Sequence, residues 1–205
     1  MKIHLSILNQ GSICDDLAIK LPRWIDECRT KGHSIYFESC KLRPIENNRN
    51  TIVKRFLESD SDYLIQIDND NVPDKNPLLL VDTMVENKID ILSCPVWIYQ
   101  HKLCLNIYKY DDEQEFLLPI EPNEYSGLIE IDATGTGLLL CSRSALEPLI
   151  RPFERLFDEI HGIEILGLDL AFSKKAKEAG FKIFSHLDYI SKHYKNIDIS
   201  TFLKK

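Results

Sequence analysis

Residues 63–67, Tyr-Leu-Ile-Gln-Ile, are a short, mostly apolar run that stops abruptly at Asp68, Asn69 and Asp70. A run of this length bounded by turn residues predicts a strand buried on both faces. Such strands occur in sheets covered by helices on either side, and with the three strand-helix alternations around it the run points to a doubly wound α/β sheet. It also delivers two carboxylates to the carboxyl end of a buried strand, the edge at which open α/β sheets bind ligands. Pro73, three residues further on, is expected to stop further pairing. Two acids so placed suit a divalent cation whose shell is completed by substrate phosphates. Asp and Asn are equally ordinary turn residues, so the tripeptide alone leaves a plain strand-to-loop turn open.

The flanking sequence repeats the strand–helix alternation. Residues 2–8 alternate, with Ile3, Leu5 and Ile7 on one face, and predict a first strand ending in a turn at 9–12. A helix follows over about 14–30, with Pro22 kinking or delaying it and Gly32 closing it. A strand at 34–38 completes a β-loop-α-β unit. A second helix is expected from about Asn48 to Ser59, placing Arg49 and Asn50 in a first turn whose free N–H groups could meet an anion. After the 63–67 strand come a helix at about 77–87, with Pro77 in its first turn, and a strand at 89–95. The pattern then changes. Over about 96–127, Trp97, Tyr99, Tyr108, Tyr110 and Tyr125 alternate with polar residues, and Asp111-Asp112-Glu113 reads as a hairpin tip. This predicts an antiparallel ribbon with most of its aromatics packed on the core; the functional alternative is one or two projecting as a platform for an acceptor. Strands at 128–132 and 138–141 flank Ala133-Thr-Gly135-Thr-Gly137, where glycines let the backbone turn sharply or approach a ligand. Ser142 is expected to cap a helix starting at Arg143. A loop at 157–162 leads to a helix at 168–179, with Leu170, Phe172 and Ala176 on its buried side and Gly180 at its end. A last strand is expected at 181–185, followed by a segment carrying His193.

The 205 residues fit one compact domain or a small pair. The net charge of −7 argues against a broad surface for coating nucleic acid. Cys14, Cys28, Cys40, Cys94, Cys104 and Cys141 make no C-x-x-C pair and several lie in apolar runs. They read as reduced, buried thiols of a cytoplasmic protein, not as a zinc site or a disulfide framework. The first residues lack the apolar core of a signal sequence, and no run reaches the length of a membrane helix. Lys204-Lys205 is too short to argue for lipid binding.

Asp68 and Asp70, Asp169 at a helix start and a late His193 share an order that the pieces lack singly. The stretches R-N-T-I-V-K-R-F-L-E-S (49–59), D-Y-L-I-Q-I-D-N-D (62–70), D-A-T-G-T-G-L-L-L-C-S-R (132–143), F-D-E (157–159) and G-L-D-L-A-F-S-K-K-A-K-E-A-G-F-K-I (167–183), with His193, resemble the nucleotide-sugar glycosyltransferases of the GT-A fold, in particular the family 2-like group. The resemblance covers most of the chain. It implies a single GT-A (Rossmann-like) domain over 1–205, with a central, mostly parallel sheet flanked by helices and a small antiparallel ribbon. About 1–95 would bind the nucleotide sugar; about 96–205 would bind the acceptor and carry catalysis.

The resemblance also implies roles. Asp68-Asn69-Asp70 looks like the D-x-D element, with Asp70 a direct ligand of Mn²⁺ or Mg²⁺ and Asp68 meeting the ribose or a metal-bound water. His193 would ligate the same metal, and Arg49 would lie close to the donor nucleotide. Asn9 to Gly11 would sit near the base, and Gly135 to Gly137 would line the sugar and acceptor site. Asp169 would be the catalytic base. Two departures stand out: Leu168 occupies a position where the family commonly has an acid, and the Asn9-Gln10 loop matches the family's usual beginning poorly. The implied donor is a nucleoside-diphosphate sugar, a UDP-sugar first, and the acceptor a glycan or glycoprotein, with inversion. Two alternatives stay open: transfer to a modified nucleobase in DNA, which the acidic charge disfavours, and a nucleotide-sugar-binding module without catalysis, which Leu168 motivates.

Overall fold

A computed structural model describes residues 1–9, 11–100 and 102–195. Gln10 and Lys204-Lys205 lie outside the described residues. The strands are β1 (Lys2–Leu8), β2 (Ser34–Cys40), β3 (Tyr63–Asp68), β4 (Asn71–Pro73), β5 (Ile91–Ser93), β6 (Trp97–Gln100), β7 (Lys102–Leu105), β8 (Ile107–Asp111), β9 (Phe116–Pro119), β10 (Leu128–Ile131), β11 (Ala133–Thr134), β12 (Leu138–Ser142), β13 (Leu156–Phe157), β14 (Glu164–Leu166), β15 (Ile183–His186) and β16 (Ser191–His193). The α-helices are α1 (Asp15–Thr30), α2 (Ile45–Glu58), α3 (Leu80–Asn87), α4 (Arg143–Leu146) and α5 (Leu168–Glu178).

Seven strands form the central sheet in the order β10-β15-β5-β12-β3-β1-β2. β1 pairs in parallel with β2 and β3, and β15 in parallel with β5. β12 runs against both β3 and β5, and β10 against β15. Five of the seven strands thus share one direction, and the sheet is mixed, large and mostly parallel. The period-two pattern sorts the core. Ile3, Leu5, Ile7, Ile65 and Ile67 pack under α1 and α3, while Leu8 and Leu64 pack with Ile52, Val53 and Phe56 of α2 and Phe172 of α5. Because α2 covers that second face, even His4, Ser6 and Gln66 between the apolar positions are buried.

Several expectations need correction. Pro73 does not end pairing: β4 pairs antiparallel with β16, Pro73 opposite Ser191. In a two-stranded ribbon a missing N–H can face away from the partner at no cost. The strand at residues 183–186 is therefore not the last. α2 starts at Ile45, so Arg49 and Asn50 lie past the first turn and offer no free N–H groups. Pro22 lies inside α1 and does not delay it, and residues 77–79 form a separate 3₁₀ turn before α3. The aromatic ribbon is two hairpins, β6–β7 and β8–β9, with the tip after Asp111 as expected. Its aromatics mostly do not pack inward, since Tyr99, Tyr110 and Tyr125 are exposed. Leu170 is only half-buried, whereas Phe172 and Ala176 are fully enclosed.

Candidate functional site

Asp68 is the last residue of β3, and the polypeptide leaves the sheet there. Its backbone N–H donates to the Gly137 carbonyl (2.9 Å), and the Asn69 N–H donates to that of Leu8 (3.1 Å). The ends of β1 and β3 and the start of antiparallel β12 therefore meet at one sheet edge. A cavity of about 730 Å³ opens there, lined among others by Asp68, Asp70, Asp169 and His193.

Arg49 fixes Asp68 from below. Its Nη2 donates to Asp68 Oδ1 (2.8 Å) and its Nη1 to Gln66 Oε1 (3.0 Å), while its plane lies 5.6 Å from the Phe153 ring centroid. With 3% of its side chain exposed, Arg49 works as an internal strut, holding the carboxylate rather than opening broadly to solvent. Burial pushes the Asp68 carboxyl up to about 6, with Arg49 pulling against it and Asp169 and Asp70 adding to the push.

Asp70 behaves oppositely. Its Oδ2 lies 3.4 Å from His193 Nε2 and accepts from Lys195 Nζ at 2.8 Å. Burial alone would raise this carboxyl, but His193 and Lys195 overcome it and hold Asp70 down at about 2. His193 arrives through the β4–β16 ladder, which sets it opposite Asn71. Its Nδ1 is 2.9 Å from the Trp97 carbonyl oxygen. A carbonyl only accepts, so Nδ1 carries the proton and Nε2 is turned to Asp70. Across this 3.4 Å gap Nε2 can donate a proton to Asp70 or, without that proton, share a bound cation with it.

That gap suits a divalent ion. Two ligands at right angles on an octahedral ion, each about 2.1 Å from it, lie about 3 Å apart. A ligating His also commonly donates its other N–H to a backbone carbonyl. Among the described residues no three or more His, Cys, Asp or Glu side chains gather into a closed cage. Arg49 holds Asp68 through Oδ1, while Asp70 and His193 of the expected ligand set face each other at 3.4 Å. A two-residue site fits an ion whose remaining positions go to phosphates and water.

Asp169 sits in the first turn of α5 and accepts a hydrogen bond from the buried Thr136 hydroxyl. Thr136 belongs to the segment between β11 and β12 that crosses the sheet edge, so this bond ties α5 to the end of β3. Leu168 is buried in the core cluster under α5. Leu168 also lines the cavity, where an acid would be largely desolvated. Gly135 and Gly137 line the cavity, but their missing side chains leave room for protein: a Cβ would come 2.1 Å from Asn106 Nδ2 at Gly135 and 2.2 Å from Asn71 Nδ2 at Gly137.

The remaining sites expected from sequence are placed less centrally. The Asn69 side chain donates to the Ser12 carbonyl, and the Asn69 backbone carbonyl accepts from Cys14 N–H (2.9 Å), which ties the loop to the start of α1. Asn9 accepts from Gly11 N–H (2.7 Å) at the end of β1 and is not among the residues lining the cavity. Sequence reasoning missed Lys195, Asn71 and Asn106. The available signal for Lys195 was its two-residue spacing from His193, which puts both on one side of an extended segment.

No protein-family model matches the chain, and no curated protein sequence does either. Among solved structures, A197 from STIV superimposes with a TM-score of 0.61 at 22% identity, over 96% of this chain and 87% of that one. GalNAc-T7, solved with UDP, GalNAc and Mn²⁺, superimposes with a TM-score of 0.54 at 11% identity over 96% of this chain. The chain spans 44% of the length of that protein. At such identities the likeness shows the fold, which is consistent with a GT-A-like architecture.

Proposed function

We propose that the chain is a metal-dependent glycosyltransferase that moves a sugar from a nucleoside-diphosphate sugar, UDP-linked first, to a hydroxyl of a glycan or glycoprotein, with inversion. The observation that carries this reading is the convergence on one cavity of two distinct groups. One is the Asp70–His193 pair, with a gap of cation size between oxygen and nitrogen; the other is Asp169, held on a separate helix. The fold shared with GalNAc-T7, which was solved with UDP and Mn²⁺, supports it.

Asp70 and His193 would hold Mn²⁺ or Mg²⁺, which when bound stabilises the negative charge developing on the diphosphate; the imidazole favours Mn²⁺. Asp68, braced by Arg49, would meet the ribose or a metal-bound water. Asp169 would accept the acceptor's proton through the carboxylate oxygen that Thr136 does not fix. As the acceptor oxygen bonds to the anomeric carbon, the bond from that carbon to the diphosphate oxygen breaks and its electron pair leaves with the diphosphate. The products are the glycoside and the nucleoside diphosphate, and the proton rests on Asp169. Such a base contributes ~10²–10⁴-fold.

Asp169→Asn should therefore lower Mn²⁺-dependent transfer by at least about a hundredfold while leaving UDP binding intact. Equal rates in the variant and wild type would refute the role of Asp169 and favour the reading that Leu168 motivates, a nucleotide-sugar-binding module without catalysis. Full activity in EDTA would remove the metal from the scheme.

A further inference from the structure

Asp70 Oδ2 is approached from two sides: by His193 Nε2 at 3.4 Å and by Lys195 Nζ at 2.8 Å. The geometry delivering the ammonium is built in. Tyr194 N–H donates to the Asp70 carbonyl (2.9 Å), and the Tyr194 hydroxyl donates to Asp16 Oδ2 (3.0 Å). Tyr194 thus pins the segment after β16 from both ends, and its two neighbours in sequence turn to Asp70 together. Lys195 lines the same cavity. Its ammonium, on a flexible four-carbon stem, occupies the oxygen that a divalent ion between Asp70 and His193 would need. Ammonium and ion compete for that oxygen, because like charges a few ångströms apart repel by more than a half-exposed ion pair is worth.

We propose that Lys195 is a resident surrogate cation: it neutralises Asp70 in the metal-free chain, is displaced when the divalent ion binds, and then pairs with the diphosphate of the donor. Charge is balanced at each stage without large motion of the backbone, because only the lysine stem has to swing. The site then takes up metal and nucleotide together more readily than metal alone. This role rests on the donor-and-metal reading of the same cavity.

Isothermal titration of the full chain with Mn²⁺ alone, and with UDP at saturating Mn²⁺, tests it. Lys195→Met should bind Mn²⁺ alone about two- to fivefold more tightly than wild type. The same variant should bind UDP about five- to tenfold more weakly. Lys195→Arg, which keeps the charge, should stay near wild type in Mn²⁺ affinity. Lys195 has 57% of its side chain exposed, so neither variant threatens folding. Unchanged Mn²⁺ affinity or undiminished UDP affinity in Lys195→Met overturns the surrogate role. Asp70→Ala separates the two levels: if it binds Mn²⁺ as wild type does, the metal reading itself fails, whatever Lys195 does.

Discussion

Two neighbouring carboxylates, two residues apart, are driven in opposite directions by their surroundings. Asp68 is pushed up to about 6 by burial and Asp70 is held down at about 2 by His193 and Lys195. An unfolded Asp titrates near about 4. Folded, metal-free protein therefore binds more protons at Asp68 between about pH 4 and 6, and that group makes stability fall as pH rises through this window. Asp70 acts lower and with opposite sign: its contribution is full above about pH 4 and is lost as pH falls toward about 2. Asp68→Asn should flatten the descending limb between pH 4 and 6, by at most about 3 kcal/mol in chemical denaturation. An unaltered slope would mean that the Asp68 carboxyl is not held up by burial. None of this was legible from Asp-Asn-Asp. The tripeptide located the acids, but Arg49 beneath one and Lys195 beside the other come from distant parts of the chain.

At the scale of elements, the sequence read strands and helices well where periodicity was strong and poorly where pairing decided. β1, β3, β12 and α5 lie where apolar spacing put them. β16 has no signal of its own, since Ser191-Lys192-His193 is polar, and it exists because Asn71-Val72-Pro73 offers it a partner. The short helix α4 shows another device hidden from sequence. Ser142 caps it through Ala145 N–H (3.2 Å), as its residue type suggested. Arg143 then sends its guanidinium back to the end of α2, reaching the carbonyls of Phe56 (3.1 Å), Leu57 (3.1 Å), Ser59 (2.8 Å) and Ser61 (2.8 Å), with Phe56 under its plane. Phe56 and Leu57 belong to the last turn of α2 and Ser59 and Ser61 to the segment leaving it, so the cation also meets the negative end of the helix dipole. Arg143→Met should cost about 2–3 kcal/mol in urea unfolding. A loss under about 0.5 kcal/mol would show that water replaces the guanidinium without penalty. Since α2 also carries Arg49, the same variant should weaken UDP binding if the helix shifts.

For the whole molecule, the cavity exists because one strand runs the wrong way. β12 is inserted antiparallel between β3 and β5, so the segment leading into it, with Thr136 and Gly137, abuts the end of β3. That reversal carries α5 and Asp169 to the edge where Asp68 and Asp70 emerge. Filling the cavity should stabilise the whole fold by mass action. A UDP-sugar with Mn²⁺ at a hundred times its Kd would add about 2.7 kcal/mol, or about 5–10 °C in Tm for a chain of this size. A differential-scanning screen of UDP-, GDP- and dTDP-sugars with and without Mn²⁺ reads this out, and no shift with any of them would count against the donor class. The amino-acid sequence by itself determined the alternation of layers and the two acids at the end of a buried strand, because burial periodicity and turn chemistry are local. It also placed Asp169 in the first turn of a helix. Only the tertiary structure decided that Asp70 and His193 meet, that Arg49 is a strut beneath Asp68, and that Lys195 occupies the Asp70 carboxylate. Those contacts join residues up to 125 apart in the chain, and their geometry follows from strand order and direction, which no local pattern encodes.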